Sequence, residues 1–220
     1  RAGGGPTAAA PRAGPESAAP RPGPTRQTGA SRALRLPVVW LGIILFFTFV
    51  GVEASAGQWS YTLFTEGRRT APATAAFWVS LYWGSFTVGR ILLGAIADRI
   101  ETSHLLQGGV LATLAGTILI WWNPQGWVSF AGLTLMGMGI APLYPGLVAL
   151  TPGRVGPEHA PHAIGFQVAA ASLGFSLIPG LAGVLADNLG LSALPPFLTG
   201  MALLVVVLYQ ASSLIARRPG

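Results

Sequence analysis

The sequence predicts an all-α membrane protein with six transmembrane helices. Hydrophobic residues make up 51% of the 220 residues and charged residues only 9%, whereas soluble domains carry about 25% charged residues. The mean hydropathy of +0.57 reflects six apolar stretches, and each is long enough to cross about 30 Å of hydrocarbon as a helix. Cysteine is absent, which excludes a disulfide framework, a thiol nucleophile and a zinc–thiolate site.

The first element, residues 1–36, is a basic linker built almost entirely from Ala, Gly, Pro, Arg, Ser and Thr. It has no aromatic residue and no periodicity, so it cannot bury enough apolar area to offset the entropy of ordering its backbone. We therefore expect a flexible, disordered cytoplasmic segment. Residue 1 is Arg and no signal peptide opens the chain, so we expect a fragment or a processed product.

Six helices are predicted after the linker, and short loops containing Gly, Pro and Asn separate them. The expected bounds are 38–64, 72–97, 103–122, 127–150, 162–186 and 194–215, within a transmembrane domain of residues 37–216 that precedes a tail of residues 217–220. Six spans put both termini on one side of the membrane. Ten of the 13 basic residues, all arginines, fall on that side and two on the other. The positive-inside rule then predicts that both ends are cytoplasmic, and we expect an integral plasma (inner) membrane protein.

An internal repeat relates the two halves of this domain. At an offset of 89 residues, the segment GAIADRI (94–100) aligns with GVLADNL (183–189). Three pairs of apolar residues share the offset: Phe77 with Phe166, Phe86 with Phe175, and Leu92 with Leu181. With three helices per unit, the matched helices cross the membrane in opposite directions, which is the pattern of a 3+3 inverted repeat. A chance match is the alternative, since Gly and Ala are frequent throughout.

Glu53 is the acidic residue that lies well inside an apolar span. An ionised carboxylate near the bilayer centre costs about 2.5–3.5 kcal/mol on insertion scales, so the side chain should face the bundle interior, water or a partner. Helical spacing places Gly57, Ser60 and Tyr61 on the same face. Two interpretations stay open: a proton-coupling or substrate-binding carboxylate, and a structural acid bonded to a neighbouring helix.

Four further side chains are candidates for contacting a solute: Gln58, Tyr82, Tyr144 and Gln167. Tyr82 shares a stripe with Trp78, and such rings can stack on a sugar. The stripe could instead pack on a neighbour, or Trp78 could belong to the interfacial aromatic belt. The two amides could bind a hydroxylated ligand or bond between helices. Two prolines beside Tyr144 predict a kinked helix that lines a cavity.

A charge cluster closes the second predicted helix: Arg90, Gly94, Asp98 and Arg99. The first three share a helix face, so Arg90 and Asp98 flank a glycine where we expect another helix to come close. This spacing makes the cluster a candidate gating element. Plain solvation of charges at a helix end is the alternative.

The remaining patterns indicate packing and exclude several functions. Gly108, Ala112 and Gly116 form a small-residue seam in the third predicted helix, which we interpret as close helix packing. The three histidines lie in or near loops and no metal-ligand cluster is present, so we expect neither an enzyme nor a metal or other cofactor. The arginines precede the first span or lie mostly in short loops. This placement indicates membrane orientation and not a nucleic-acid surface.

The charge cluster resembles the signature loop of the major facilitator superfamily. Gly94, Asp98 and Arg99 match the GxxxDR part of that signature, whereas Ile100 and Glu101 depart from its continuation. The basic linker and the C-terminal arginine pair make the chain similar to the second half of such a protein, its seventh to twelfth helices. Three segments also resemble the fucose permease-like branch of sugar:proton symporters: Gly51-Val52-Glu53, Ala141-Pro142-Leu143-Tyr144-Pro145 and Gly165-Phe166-Gln167.

The resemblance implies a secondary active transporter that moves a small solute, with a sugar as the solute class, by alternating access and symport with protons. Its partners would be the lipid bilayer, the solute and a missing N-terminal six-helix half, and the proton gradient would supply the energy. The GxxxDR residues would help to lock one state through contacts between the halves. The main proton-titrating carboxylates would lie in that other half. The alternative is a complete six-helix membrane protein that dimerises or pairs with a partner and need not transport.

Overall fold

The computed structural model describes Gly3 and residues 25–96 and 99–216, and every regular element in this part of the chain is helical. The helices are α1 (Thr25–Ala33), α2 (Pro37–Thr62), α3 (Pro72–Ile96), α4 (Thr102–Trp122), α5 (Gly126–Ile140), α6 (Leu143–Val155), α7 (Ala160–Leu189) and α8 (Leu194–Ala216). A π-helical turn, Leu63–Gly67, extends α2, and a 3₁₀ turn, Leu191–Ala193, precedes α8. The all-α prediction is confirmed.

Five segments of the described chain are long and apolar enough to cross a membrane: Pro37–Gly67, Thr102–Trp122, Gly126–Val155, Ala160–Leu189 and Leu191–Ile215. The remaining one of the six predicted helices is α3, which has 25 residues and packs against α5 and α2. A helix of that length reaches about 37 Å. It is therefore as long as its apolar neighbours and belongs to the same bundle.

The fourth predicted helix, 127–150, forms two consecutive helices. Helix α5 ends at Ile140 and α6 begins at Leu143. Pro142 has no N–H group and its ring collides with the carbonyl four residues earlier, so the helix breaks at this residue. The break places Tyr144 in the first turn of α6 and confirms the expected kink.

The linker is helical at its end, where we expected a flexible segment. Helix α1 forms at the end of the predicted linker, residues 1–36, because packing against the bundle stabilises it. Ala33 is fully buried, and a Cβ at Gly29 would lie 2.5 Å from Nε2 of His162 in α7. Trp40 donates from Nε1 to the Leu34 carbonyl at 2.9 Å. Residues 4–24 and the predicted tail 217–220 lie outside the described residues.

The helix starts follow the 89-residue offset of the sequence repeat. Helix α2 begins at Pro37 and α5 at Gly126, 89 residues later. The same offset separates Thr102, where α4 begins, from Leu191, where the last span begins. Helix α2 packs mainly on α7 and α8, and α5 packs mainly on α3 and α4. The first helix of each three-helix unit thus packs on the second and third helices of the other, as the two units of an inverted repeat do.

Glycines bring the backbones of α4 and α5 into contact. Gly116 faces Gly132, where a Cβ would lie 2.6 Å from the opposite carbonyl oxygen, and Gly109 faces Gly139 at the same distance. Gly108, which belongs to the seam predicted from the sequence, has nothing within 4 Å. Residues seven apart differ by only about 20° around a helix and residues eight apart by about 80°. The seam therefore contains Gly109 in place of Gly108.

Helices α2 and α7 form the other close pair. Gly174 has no room for a Cβ because the Phe47 carbonyl lies against it, and Gly51 packs on Ile178 in the same way. Trp59 joins the helices further along by donating from Nε1 to a carbonyl of α7 at 2.9 Å. These contacts make α2 the central helix of the bundle and set the surroundings of Glu53.

Candidate functional site

Glu53 lies in the middle of α2, the most buried of the five spans, and is itself half-buried. Its carboxylate makes no hydrogen bond or ion pair with the residues that the structure describes. The opposite charge of Arg90, on α3, attracts it electrostatically. A carboxylate at this depth needs water, a ligand, a proton or a cation. Arg90 is a cation on the neighbouring helix, but it forms no ion pair with Glu53 among the described residues.

Glu53 and four residues of α2 and α3 form what we call the α2–α3 cluster: Glu53, Gly57, Trp83, Phe86 and Arg90. Gly57 has no space for a Cβ because the Trp83 ring lies directly against it. Trp83 is 39% exposed, and its ring centroid is 5.9 Å from that of Phe86. The Arg90 guanidinium carbon lies 4.1 Å from the centroid of the Phe86 ring. The cluster thus combines an open aromatic face with two opposite charges.

A cavity of about 440 Å³ adjoins the cluster, between α3, α4 and the start of α6. Its walls are mostly apolar, and its polar side chains are Arg90, Thr102 and Tyr144. The Tyr144 ring also meets Phe46 of α2 edge to face, with 5.4 Å between centroids. Pockets for small molecules measure about 300–1,000 Å³, with apolar walls and a few polar groups. Arg90 belongs to both features, so we treat the cluster and the cavity together as the candidate site.

Two of the five residues predicted to contact a solute, Tyr82 and Gln167, form hydrogen bonds inside the bundle. Tyr82 is fully buried and its hydroxyl donates to the backbone carbonyl of Glu53 at 3.0 Å. Gln167 is 6% exposed and its Oε1 accepts a hydrogen bond from Thr151 at 3.1 Å. Its Nε2 lies against Gly42. Both side chains join helices in this conformation, and their role in contacting a solute stays a prediction.

The stripe that contains Tyr82 is a contact between helices. Trp78 stacks on Phe130 of α5, with centroids 4.9 Å apart and ring planes 3° from parallel. Ser85 donates to the Thr134 carbonyl at 3.0 Å. This ring stacking and this hydrogen bond attach the stripe to α5. The stripe therefore packs on a neighbouring helix, which was one of the two interpretations of the sequence pattern.

Gln58 lies on another face of α2. Five residues separate it from Glu53, which amounts to about 140° around the helix. Its side chain is exposed and makes no hydrogen bond within the described chain.

Of the five residues predicted to contact a solute, Tyr144 is the one that lines the cavity. Sequence reasoning missed Trp83, whose only signal is the facing Gly57.

The structure describes three of the four predicted gating residues. Arg90 and Gly94 line the cavity, and Arg99 is exposed. Among the described residues, no neighbouring helix comes within 4 Å of the position of a Cβ at Gly94. Asp98 lies outside the described residues, and its expected place beside Gly94 in a gating element stays a prediction.

A second polar cluster joins three elements at the opposite end of the bundle from α1. Arg68 donates from Nη1 to Ser129 Oγ and from Nη2 to the Ile120 carbonyl. Ser129 donates in turn to Asn123 Oδ1 at 2.7 Å. Burial lowers the pKa of the Arg68 guanidinium from its ordinary value, but arginine stays charged in proteins. The cation neutralises the carbonyl end of α4. Sequence reasoning missed this cluster as well.

A six-helix bundle with an inverted repeat and a carboxylate at membrane depth has the architecture of secondary transporters. The described residues contain no group of His, Asp and Glu side chains that could hold a metal ion. The family model of the Major Facilitator Superfamily matches residues 41–219. The chain belongs to the Major Facilitator Superfamily, and it is an integral membrane protein.

Three relatives match parts of the chain. Bypass of stop codon protein 6 of Saccharomyces cerevisiae is 28% identical over 185 residues, which are 76% of this chain and 36% of that protein. A putative glucose/galactose transporter of Helicobacter pylori is 26% identical over 151 residues, 67% of this chain and 36% of that protein. Major facilitator superfamily domain-containing protein 4B of Danio rerio is 29% identical over 113 residues, 50% of this chain and 20% of that protein.

Solved structures share the fold. The Major Facilitator Superfamily transporter FucP in its outward conformation has a TM-score of 0.74 to this chain and 18% sequence identity. The match covers 88% of this chain and 46% of that one. A second structure of FucP, described as the fucose:proton symporter of E. coli, matches equally well. The chain thus spans just under half of FucP and about a third of the yeast and Helicobacter relatives.

Proposed function

We propose that this chain forms one six-helix half of a secondary transporter that moves a sugar by alternating access, coupled to protons. A relative is named a putative glucose/galactose transporter and a protein of the same fold is a fucose:proton symporter, which supports the solute class and the coupling ion. The 46% coverage of FucP supports a second six-helix half as partner. The excess of arginines at the α1 end supports cytoplasmic termini in the plasma (inner) membrane.

The observation that carries the proposal is that the Glu53 carboxylate makes no hydrogen bond or ion pair with the described residues. Hydroxyl groups of the same helix are bonded, since Thr48 and Ser55 donate to carbonyls four residues earlier at 2.8 and 2.7 Å. Glu53 has no such partner among the described residues. A carboxyl group that takes up a proton when the site opens to one side and releases it to the other moves one proton per cycle. That exchange couples transport to the proton gradient.

The adjoining surfaces suit a sugar. The exposed face of Trp83 can stack on the C–H face of a pyranose ring, and hydroxyl groups need donors and acceptors at fixed positions. Arg90 and Tyr144 are donors in the lining of the cavity, and Glu53, in the adjoining α2–α3 cluster, is an acceptor. The cavity volume of about 440 Å³ admits a monosaccharide.

Uptake by the full-length protein in proteoliposomes tests the proposal. Radiolabelled L-fucose, D-galactose and D-glucose are offered with and without an imposed pH gradient. We expect the gradient to drive accumulation of at least one of them, and Glu53→Gln to reduce this accumulation about tenfold or more. Exchange of sugar without a gradient should survive, because Gln keeps the shape of Glu but cannot take up and release a proton as a carboxyl group does.

Glu66→Gln is the matched control, because Glu66 is an exposed acid at the end of the same span. It should transport like the parent. Accumulation by Glu53→Gln at the parental level would contradict the role of Glu53. Failure of all three sugars to accumulate in the parent would contradict the solute class.

A further inference from the structure

The two ends of the bundle differ in charge. The α1 end carries four arginines and two glutamates among its described side chains: Arg32, Arg35, Arg99, Arg154, Glu101 and Glu158. The opposite end carries two of each sign: Arg68, Arg69, Glu66 and Asp187. The α1 end is thus the basic end, and a basic surface at the end of membrane spans attracts anionic lipid.

Helix α1 is held in place on this end. Its Gly29 packs on His162 and its Ala33 is fully buried. The backbone N–H of Arg35 donates to the carbonyl of Arg32 at 3.1 Å, so a turn keeps the two backbones adjacent. Both arginines are exposed. Their position is therefore set by the fold, although their side chains point away from the core.

Arg32 and Arg35 lie at the depth of the lipid headgroups. Arg35 lies two residues before Pro37, where the first span begins. Trp40, less than one turn into that span, is 51% exposed and bonded to the Leu34 carbonyl. Tryptophan is enriched at the boundary between hydrocarbon and headgroups. Arg32 and Arg35 thus lie just outside the hydrocarbon, where phosphates are found.

No acidic side chain of the described chain pairs with these two arginines, and the α1 sequence contains no acidic residue. The described residues therefore supply no counterion for either arginine. We propose that α1 and the turn that follows it bind the headgroup phosphates of anionic phospholipids, with Arg32 and Arg35 as the ligands. A membrane surface fits better than an acidic protein segment because the arginines lie at the end of a span beside an interfacial tryptophan.

Native mass spectrometry of the full-length protein tests this inference. The detergent-solubilised protein is titrated with phosphatidylglycerol or with phosphatidylcholine, and the dissociation constant of the first bound lipid is measured. We expect tighter binding of phosphatidylglycerol. Each arginine near a membrane surface contributes about fivefold, so R32A/R35A should weaken that binding about 25-fold and leave phosphatidylcholine unaffected. R32K/R35K keeps both charges and should bind close to the parental level.

R69A is the matched control, because Arg69 is an exposed arginine at the opposite end. It should bind both lipids as the parent does. Equal affinity of the parent for the two lipids would overturn the inference, as would parental binding by R32A/R35A. A loss in R32K/R35K as large as that in R32A/R35A would also contradict recognition by charge.

Discussion

The close approach of α4 and α5 gives a sharp test of the packing, because two adjacent glycines of α4 differ only in their surroundings. A Cβ at Gly109 would lie 2.6 Å from the Gly139 carbonyl oxygen and 3.0 Å from Pro142 Cγ. A Cβ at Gly108 would meet nothing within 4 Å. Gly109→Ala therefore forces the two helices apart, and Gly108→Ala adds a methyl group to an open surface.

The structure sets the size of the expected difference. Either substitution gains about 1 kcal/mol of helix propensity, and this gain cancels when the two variants are compared. The difference that remains is the cost of overpacking at Gly109, about 1–3 kcal/mol. For a chain of this size, 1 kcal/mol shifts the melting temperature by about 2–4 °C. The two variants should thus differ by about 2–12 °C.

The assay is the loss of the monodisperse peak in size-exclusion chromatography after heating the detergent-solubilised protein. Gly109→Ala should melt below Gly108→Ala by the stated margin, and Gly108→Ala should melt at or above the parental temperature. Equal melting of the two variants would refute the assignment of Gly109 to the helix interface. A lower melting temperature for Gly108→Ala would instead favour the seam of Gly108 and Gly116 inferred from the sequence.

Two further substitutions separate structural from functional roles. Arg68→Lys keeps the charge but replaces the two guanidinium nitrogens that bond Ser129 and the Ile120 carbonyl with a single nitrogen on a shorter side chain. It should lose about 1–2 kcal/mol of stability and melt at a lower temperature in the same assay, while exposed Arg69→Lys should melt like the parent. Tyr82→Phe removes only the bond to the Glu53 carbonyl, worth about 0.6 kcal/mol in membranes, and should preserve sugar uptake; loss of uptake would mean that the hydroxyl contacts the solute.

Much of the fold follows from the sequence because membrane helices are apolar over their whole length. The change of composition at Leu36 locates the start of α2. Pro142, which has no backbone N–H, locates the break between α5 and α6. The repeat at an offset of 89 residues predicts which helices correspond. Each of these signals is local or periodic, so it can be recognised in the sequence without any knowledge of tertiary contacts.

The direction of individual side chains was harder to predict, since it depends on how helices rotate against one another. Tyr82 and Trp83 are neighbours with similar chemistry, yet Tyr82 is fully buried and Trp83 is 39% exposed. Gly108 and Gly109 differ in the same way. An apolar span has no polar face to mark the side that meets another helix. The helix at the end of the linker was missed because its stability comes from α7 and not from its own composition.

The chemistry of α2 explains why the site forms around Glu53. A hydroxyl group inside a helix can donate to the carbonyl four residues earlier, as Thr48 and Ser55 do. An ionised carboxylate only accepts, and the N–H groups of the surrounding helix are already used, so Glu53 has no local partner of this kind. It can be satisfied by a proton, a solute or the charge of Arg90 on the neighbouring helix. The electrostatic balance between α2 and α3 therefore depends on what occupies the site, and a transporter that changes conformation with its load needs this dependence.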